Sequence, residues 1–144
     1  MNSLPAIAGR DDDALSDGAG ERALAASDRE KHPFRGRHLL ASYSGCDPAA
    51  LRDTSRLTAV LCAAVEAAGA TIVRCATHLF DGGGLTAVLL LLESHASLHT
   101  YPEHGSCFVD LFTCGLHCRE ELFDAHLRAY LQPQSVSSRI LARN

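Results

Sequence analysis

Thr71-Ile72-Val73-Arg74-Cys75-Ala76-Thr77-His78-Leu79-Phe80-Asp81-Gly82-Gly83-Gly84-Leu85-Thr86-Ala87-Val88-Leu89-Leu90-Leu91-Leu92 is the stretch that decides the fold. Two β-rich or apolar runs flank Asp81-Gly82-Gly83-Gly84, a tight-turn composition, so the runs at 71–80 and 85–92 predict an antiparallel hairpin. The triple glycine reads as turn and not as a phosphate cradle. A cradle opens a helix, whereas this turn opens onto Leu85, Thr86, Ala87, Val88 and four leucines.

Upstream, 38–44 reads as a strand ended by Gly45 and Cys46, and Asp47-Pro48 is an N-cap followed by proline at the first helical position. Leu57, Val60, Leu61, Ala64, Val65 and Ala68 then recur at steps of three and four, one apolar stripe that Gly69 closes. Downstream, strands at 94–101 and 107–113 flank a turn at 102–105. A helix over 119–131 turns Leu122, Leu127, Tyr130 and Leu131 inward, and 135–142 gives a last strand. The order β-α-β-β-β-β-α-β predicts an α+β fold: a two-layer sandwich, an antiparallel sheet with helices on one face. The other face stays open, which makes dimerisation a natural expectation.

The chain has 144 residues, 47% hydrophobic and 21% charged, enough for one core. A net charge of −4 argues against a protein that works by blanketing nucleic-acid phosphates or an anionic membrane. No run of about 18 apolar residues exists to span a bilayer. The start lacks the basic-then-apolar order of a secretory signal, so a cytoplasmic protein is expected. Residues 1–34 lack apolar periodicity and carry seven acids against four bases, the composition of a disordered extension, with a short helix at 21–26 as the alternative. The folded domain is expected at 35–144. Six cysteines in a chain with a large apolar fraction and no export signal are expected to be reduced, with Cys62 and Cys75 acting as small hydrophobes.

Chemistry concentrates in residues 93–114, Glu-Ser-His-Ala-Ser-Leu-His-Thr-Tyr-Pro-Glu-His-Gly-Ser-Cys-Phe-Val-Asp-Leu-Phe-Thr-Cys. Cys114, His117 and Cys118 with His95 or His99 could hold zinc, but the spacing is not that of a zinc knuckle and no second Cys-x2-Cys half exists. A serine hydrolase is weaker still, because Gly-x-Ser-x-Gly is absent. A third option is self-cleavage: the Ser94 hydroxyl attacks the carbonyl of residue 93, the amide becomes an ester, and β-elimination breaks the chain. That chemistry needs a base near the Ser94 α-proton and a donor to the oxyanion, for which His99 and Thr86 are candidates. Ser94 and His99 differ by an odd number, so a regular strand aims them at opposite faces. Cooperation within one chain then requires a bulge or break near Ser94.

The strings Gly36-Arg37-His38-Leu39-Leu40, Gly45-Cys46-Asp47, Gly69-Ala70-Thr71, Glu93-Ser94-His95, Leu98-His99-Thr100-Tyr101-Pro102-Glu103 and Val109-Asp110-Leu111-Phe112-Thr113-Cys114-Gly115 resemble, in order, the prokaryotic pyruvoyl-dependent S-adenosylmethionine decarboxylase proenzymes. The resemblance runs from about Arg35 to the C-terminal strand and omits the extension. It implies cleavage between Glu93 and Ser94, with Ser94 becoming a pyruvoyl group that forms a Schiff base with the substrate. That group is the cofactor, with neither a metal nor pyridoxal phosphate. His99 is implied as proton acceptor for processing, supported by Thr86 where the family usually has serine, and Cys114 as proton donor after CO2 leaves. Glu103 is a candidate for binding substrate hydroxyls and Phe80 for stacking on adenine. The implied product is decarboxylated S-adenosylmethionine for spermidine synthesis, and the implied assembly a homodimer of cleaved protomers.

Some positions depart from the family pattern: Ser42 for an acid, Ser44 for an aromatic, Ser106 and Cys107, and Leu116-His117-Cys118-Arg119 for an acidic loop. These leave the self-processing set intact while altering what lines a pocket. A relative that decarboxylates ornithine or arginine is the first alternative, and an unprocessed partner subunit the second.

Overall fold

The computed structural model describes residues 35–92, 94–114 and 117–144. The extension expected at 1–34, Glu93, Gly115 and Leu116 lie outside the described residues. Six strands form one antiparallel sheet: β1 (Gly36–Ser44), β2 (Ile72–Leu79), β3 (Leu85–Leu91), β4 (Ser94–Tyr101), β5 (Ser106–Thr113) and β6 (Ser135–Arg143). Their order across the sheet is β2-β3-β4-β5-β1-β6. The helices are α1 (Pro48–Arg52), α2 (Thr54–Ala67) and α3 (Glu120–Leu131). The expected α+β two-layer arrangement is therefore present.

The hairpin forms as its turn composition demands. Gly83 takes φ +81, a conformation that disfavours any residue with a Cβ, and Phe80 N–H donates to Gly84 O at 2.9 Å. At the end of α2 the Gly69 N–H donates to Glu66 O and the Ala70 N–H to Val65 O, so glycine at φ +88 closes the helix in a Schellman motif.

Alternation along the strands sorts the two faces. Leu39, Ala41 and Tyr43 of β1, Leu85, Ala87, Leu89 and Leu91 of β3, Ala96 and Leu98 of β4, and Cys107, Val109 and Leu111 of β5 are buried in one core with the helices. Leu57, Leu61, Ala64 and Val65 of α2 face them. Each fully buried leucine contributes about 1.5–3 kcal/mol relative to exposure. Among the described residues no helix is long and apolar enough to cross a membrane.

Three expectations need correction. The helix after Asp47 is two helices, because the Asp53 side chain accepts from Arg56 N and caps a fresh start. In α3 the buried apolar positions are Phe123, Leu127 and Leu131, with Tyr130 half-buried against the core as expected, whereas Leu122 is half-buried outside it and Phe123 takes the inward place. Cys75 is exposed on β2 rather than packed as a small hydrophobe, although its neighbour Cys62 does pack against the core.

Tyr43, fully buried, donates its hydroxyl to Asp124 Oδ1 on α3, a carboxylate that also accepts from Arg128 Nε at 2.6 Å. Burial first, and then this carboxylate, push the phenol well above its ordinary value of 10.0. A raised folded-state value means stability that is complete below the unfolded value and is lost as pH climbs above it. Melting temperature should therefore fall from about pH 10 upward. Tyr43→Phe should cost about 1–2 kcal/mol at neutral pH and flatten that alkaline fall, as urea melts across pH would record. An unchanged alkaline slope would refute the assignment.

Candidate active site

The β3-β4 and β4-β5 ladders hold Ser94, Thr86 and His99 at a fixed register. Thr86 pairs directly with His99, and Thr86 Oγ1 lies 2.9 Å from His99 Nδ1. At the other end of β4, Ser94 pairs with Leu91 and with Thr113, so Cys114, the next residue along, continues from the strand end beside Ser94. Both Ser94 and Cys114 are half-buried. The candidate scissile bond begins at Glu93, outside the described residues.

Two groups thus sit at opposite ends of one strand. Five residues of regular strand separate Ser94 from His99 by roughly 16 Å. The bulge expected near Ser94 does not occur: pairing is continuous from Ser94 to His99 with both neighbours. The register shift among these strands lies elsewhere, between Ile72 and Arg74 of β2. Ser94 shares the core-side alternation of Ala96 and Leu98, whereas His99 alternates with Ser97 and Tyr101 toward the uncovered face. The two side chains do not meet within one chain.

The His99 end is a built pocket. A cavity of about 610 Å³ is lined by Phe80, Thr86, His99 and Glu103, all four singled out from sequence, together with Gly82, Gly84, Thr100 and Tyr101. A Cβ on Gly84 would lie 3.1 Å from Thr100 O and 3.7 Å from the Phe80 ring, so glycine here keeps the wall low. Thr100 Oγ1 accepts from Leu85 N at 2.8 Å, which pins the start of β3 to β4 beneath the cavity. Phe80 is held edge-on by His78, ring centroids 4.7 Å apart. Glu103 stands on the short 3₁₀ turn Pro102–His104, which Gly105 ends at φ +59. Gly105 O accepts from Cys46 N at 2.9 Å, so the Gly45-Cys46-Asp47 string supports the turn that carries Glu103 and does not itself reach the cavity. Sequence marks the glycines at 82 and 84 as turn residues alone; only the return of the hairpin onto β4 makes them pocket wall.

At the Ser94 end, Cys118 also approaches Thr113. Burial raises its thiol, a hydrogen bond with Thr113 partly offsets this, and Glu120 and Glu121 raise it further. Cys118 is thus held as a neutral thiol. Among the described residues Cys114, His117 and Cys118 form no converging ligand set, so zinc binding by them has no geometric basis.

This arrangement matches known proteins over nearly all of its described length. A family profile described as S-adenosylmethionine decarboxylase covers residues 37–144. An S-adenosylmethionine decarboxylase proenzyme from Parasynechococcus marenigrum is 42% identical over 108 residues, 75% of this chain and 84% of that one. One from Methanococcus vannielii is 41% identical over 101 residues, 70% and 83% of the two chains. The crystal structure of the adenosylmethionine decarboxylase from Aquifex aeolicus superposes with a TM-score of 0.68 at 30% identity, covering 74% of this chain and 88% of that chain. With a family profile matched over residues 37–144 and proenzyme relatives at 42% and 41% identity, the chain belongs to the S-adenosylmethionine decarboxylase family.

Proposed function

We propose that the protein is a self-processing, pyruvoyl-dependent decarboxylase of S-adenosylmethionine, working as a homodimer in which each site is built from both copies. The observation that carries this reading is the 610 Å³ cavity on which Phe80, Thr86, His99 and Glu103 converge. An aromatic wall beside a carboxylate and an imidazole suits a nucleoside with its ribose hydroxyls better than the short aliphatic chain of ornithine or arginine. Glu103 binds the hydroxyls and Phe80 stacks on adenine.

The separation of Ser94 from His99 supports the two-copy site. Leu40, Val88, Leu90, Tyr101, Phe108 and Leu141 are all exposed, and by register all lie on the uncovered sheet face. A second sheet packs on such a face at about 10 Å. A two-fold axis between the sheets and perpendicular to β4 sets the Ser94 end of one copy against the His99 end of the other.

In processing, Ser94 Oγ attacks the carbonyl carbon of residue 93, converting the amide to an ester while the nitrogen takes up the hydroxyl proton. His99 of the other copy, oriented by Thr86, then accepts the Ser94 α-proton. The ester leaves as the carboxylate of residue 93, and water replaces the nitrogen, which departs as ammonia. Ser94 fits this role: it opens β4, half-buried, with Cys114 beyond its strand partner Thr113. A pyruvoyl group there supplies a carbonyl that takes the substrate amine and withdraws the electron pair left by CO2. Cys114 delivers one proton to the substrate carbon, and a neutral thiol does so without bringing a charge into the pocket.

Intact-mass measurement should find fragments of 93 and 51 residues, the smaller blocked to Edman degradation. Cys114→Ala should still cleave but lose turnover by roughly 10²-fold or more, as expected for a positioned proton donor. A Cys114→Ala chain that stays whole would reverse the role assignment.

Labelled CO2 should be released from carboxyl-labelled S-adenosylmethionine and not from ornithine or arginine. Release from either of the latter with silence on the first would overturn the substrate while sparing the mechanism.

Mixing Cys114→Ala with His99→Ala chains by co-expression separates one-copy from two-copy sites. In a mixed dimer the His99→Ala chain borrows His99 from its partner, is cleaved, and keeps Cys114. Equal mixing should then regain about a quarter of parental activity, because half the dimers are mixed and each has one intact site. Uncleaved His99→Ala chains in the mixture would mean that His99 acts on its own Ser94.

A further inference from the structure

The uncovered face of the sheet carries a second constellation, distinct from the cavity. His38 of β1 and His95 of β4 are the two cross-strand partners of Phe112 on β5, one on each side, and Asp110 lies two residues before Phe112 on the same face. Asp110 Oδ1 is 3.7 Å from His38 Nε2 and 3.8 Å from His95 Nε2, and the three atoms lie within 4.8 Å of one another. His38 Nε2 and Asp110 Oδ1 are both removed from solvent, yet neither has a hydrogen-bond partner. Leaving two such atoms unsatisfied is costly, and one cation between them would satisfy both.

The supports around these atoms are those that a ligand set needs. Ser97 Oγ donates to Asp110 Oδ2 at 2.8 Å, which orients the carboxylate and leaves Oδ1 free to bind. The Phe112 ring packs against both imidazoles at 5.6 Å, with the Arg143 guanidinium 4.8 Å from its centroid. The rings are thereby fixed with their Nε2 atoms turned toward the carboxylate.

The geometry points to a divalent transition-metal site formed by His38 Nε2, His95 Nε2 and Asp110 Oδ1 on the uncovered sheet face. Two imidazoles and one carboxylate suit zinc, cobalt or nickel, whereas magnesium and calcium prefer an all-oxygen shell. Bonds of about 2.0–2.2 Å in a tetrahedral site place ligand atoms roughly 3.4 Å apart, so the two distances to Asp110 Oδ1 need close by only a few tenths of an ångström, while the two imidazole nitrogens, within 4.8 Å of each other, swing together by up to about 1.4 Å. The remaining coordination positions point away from the sheet. Because β1, β5 and β4 each give one ligand, a bound ion ties the three central strands together just after Ser94. The site goes beyond the decarboxylase reading: none of its ligands lines the cavity, although it lies on the face on which the second copy is proposed to pack.

The test is a Co2+ titration of the tag-free full chain after EDTA treatment. One Co2+ per chain should bind saturably with a visible ligand-field spectrum, and Zn2+ should displace it. His95→Ala should weaken binding at least tenfold while keeping its metal-free melting temperature. Ser97→Ala, which touches no ion, should weaken it by about tenfold through Asp110. Asp110→Asn, nearly isosteric, covers the case in which His95→Ala does not fold. An isotherm unchanged by these substitutions, a thiolate-to-cobalt charge-transfer band that assigns the ion to cysteine, or the absence of saturable binding would each overturn the site.

Discussion

The continuous pairing of β4 with β3 on one side and β5 on the other governs everything that this protein does. Every residue from Ser94 to His99 has a cross-strand partner on both sides. Alternation then leaves no freedom: Ala96, Leu98 and Thr100 go into the core, and His95, Ser97, His99 and Tyr101 go to the uncovered face. A slip of one residue would bury two histidines and expose Leu98, so the apolar face enforces the register. One strand accordingly presents the proposed pyruvoyl-forming Ser94 at its start, a polar cluster at His95 and Ser97, and a pocket wall at its end.

The same sheet favours its face over its edges as the place for the proposed second copy. Both edge strands are almost wholly exposed, and each carries arginine, Arg74 on β2 and Arg139 and Arg143 on β6. The register shift between Ile72 and Arg74 further distorts the β2 edge. Charge and irregularity discourage strand addition there. The uncovered face, by contrast, exposes Leu40, Val88, Leu90 and Phe108 around a half-buried polar centre. Its apolar rows favour burial while Asp110, His38 and His95 discourage indiscriminate association, since an uncompensated carboxylate is expensive to cover.

Local signals in the sequence are reliable where a single residue dictates backbone shape. The Asp81-Gly82-Gly83-Gly84 turn, the Asp47-Pro48 cap and the Gly69 stop all fall where their chemistry requires. The errors arise where two local readings compete. Asp53 interrupts what periodicity alone reads as a continuous helix, and the 123, 127, 131 spacing of Phe123, Leu127 and Leu131 sets the phase of α3 against a reading that puts Leu122 inward. Thr86, His99, Glu103 and Phe80 can be named from residue type and resemblance, yet that they share one cavity depends on the hairpin returning over β4. The cluster of His38, His95 and Asp110 is not legible in the sequence at all. It joins β1 to strands more than fifty residues later, and only the sheet order makes them neighbours. Parity correctly separates Ser94 from His99, but a bulge to reunite them is a one-chain solution; the proposed second copy would satisfy the same constraint without breaking the ladder.

Under the proposed self-processing, that ladder would also let the chain be cut after residue 93 and keep its shape. Only Leu92 and Glu93 join the paired residues Leu91 and Ser94, and neither is a residue with intrinsic turn preference. The β3-β4 pair is held by cross-strand hydrogen bonds and by the burial of Leu89, Leu91, Ala96 and Leu98. After cleavage β3 still pairs with β2 and β4, and β4 still pairs with β3 and β5. What is lost is the covalent closure of a short loop, an entropic term that is small for residues already locked in a sheet. Cleavage frees the start of β4 to move by a bond rotation or two while the remainder of the strand stays in register. In the proposed mechanism the partner's His99 reaches the Ser94 α-proton before the cut, so this added freedom serves the pyruvoyl end afterwards, when substrate binds, and not the processing step.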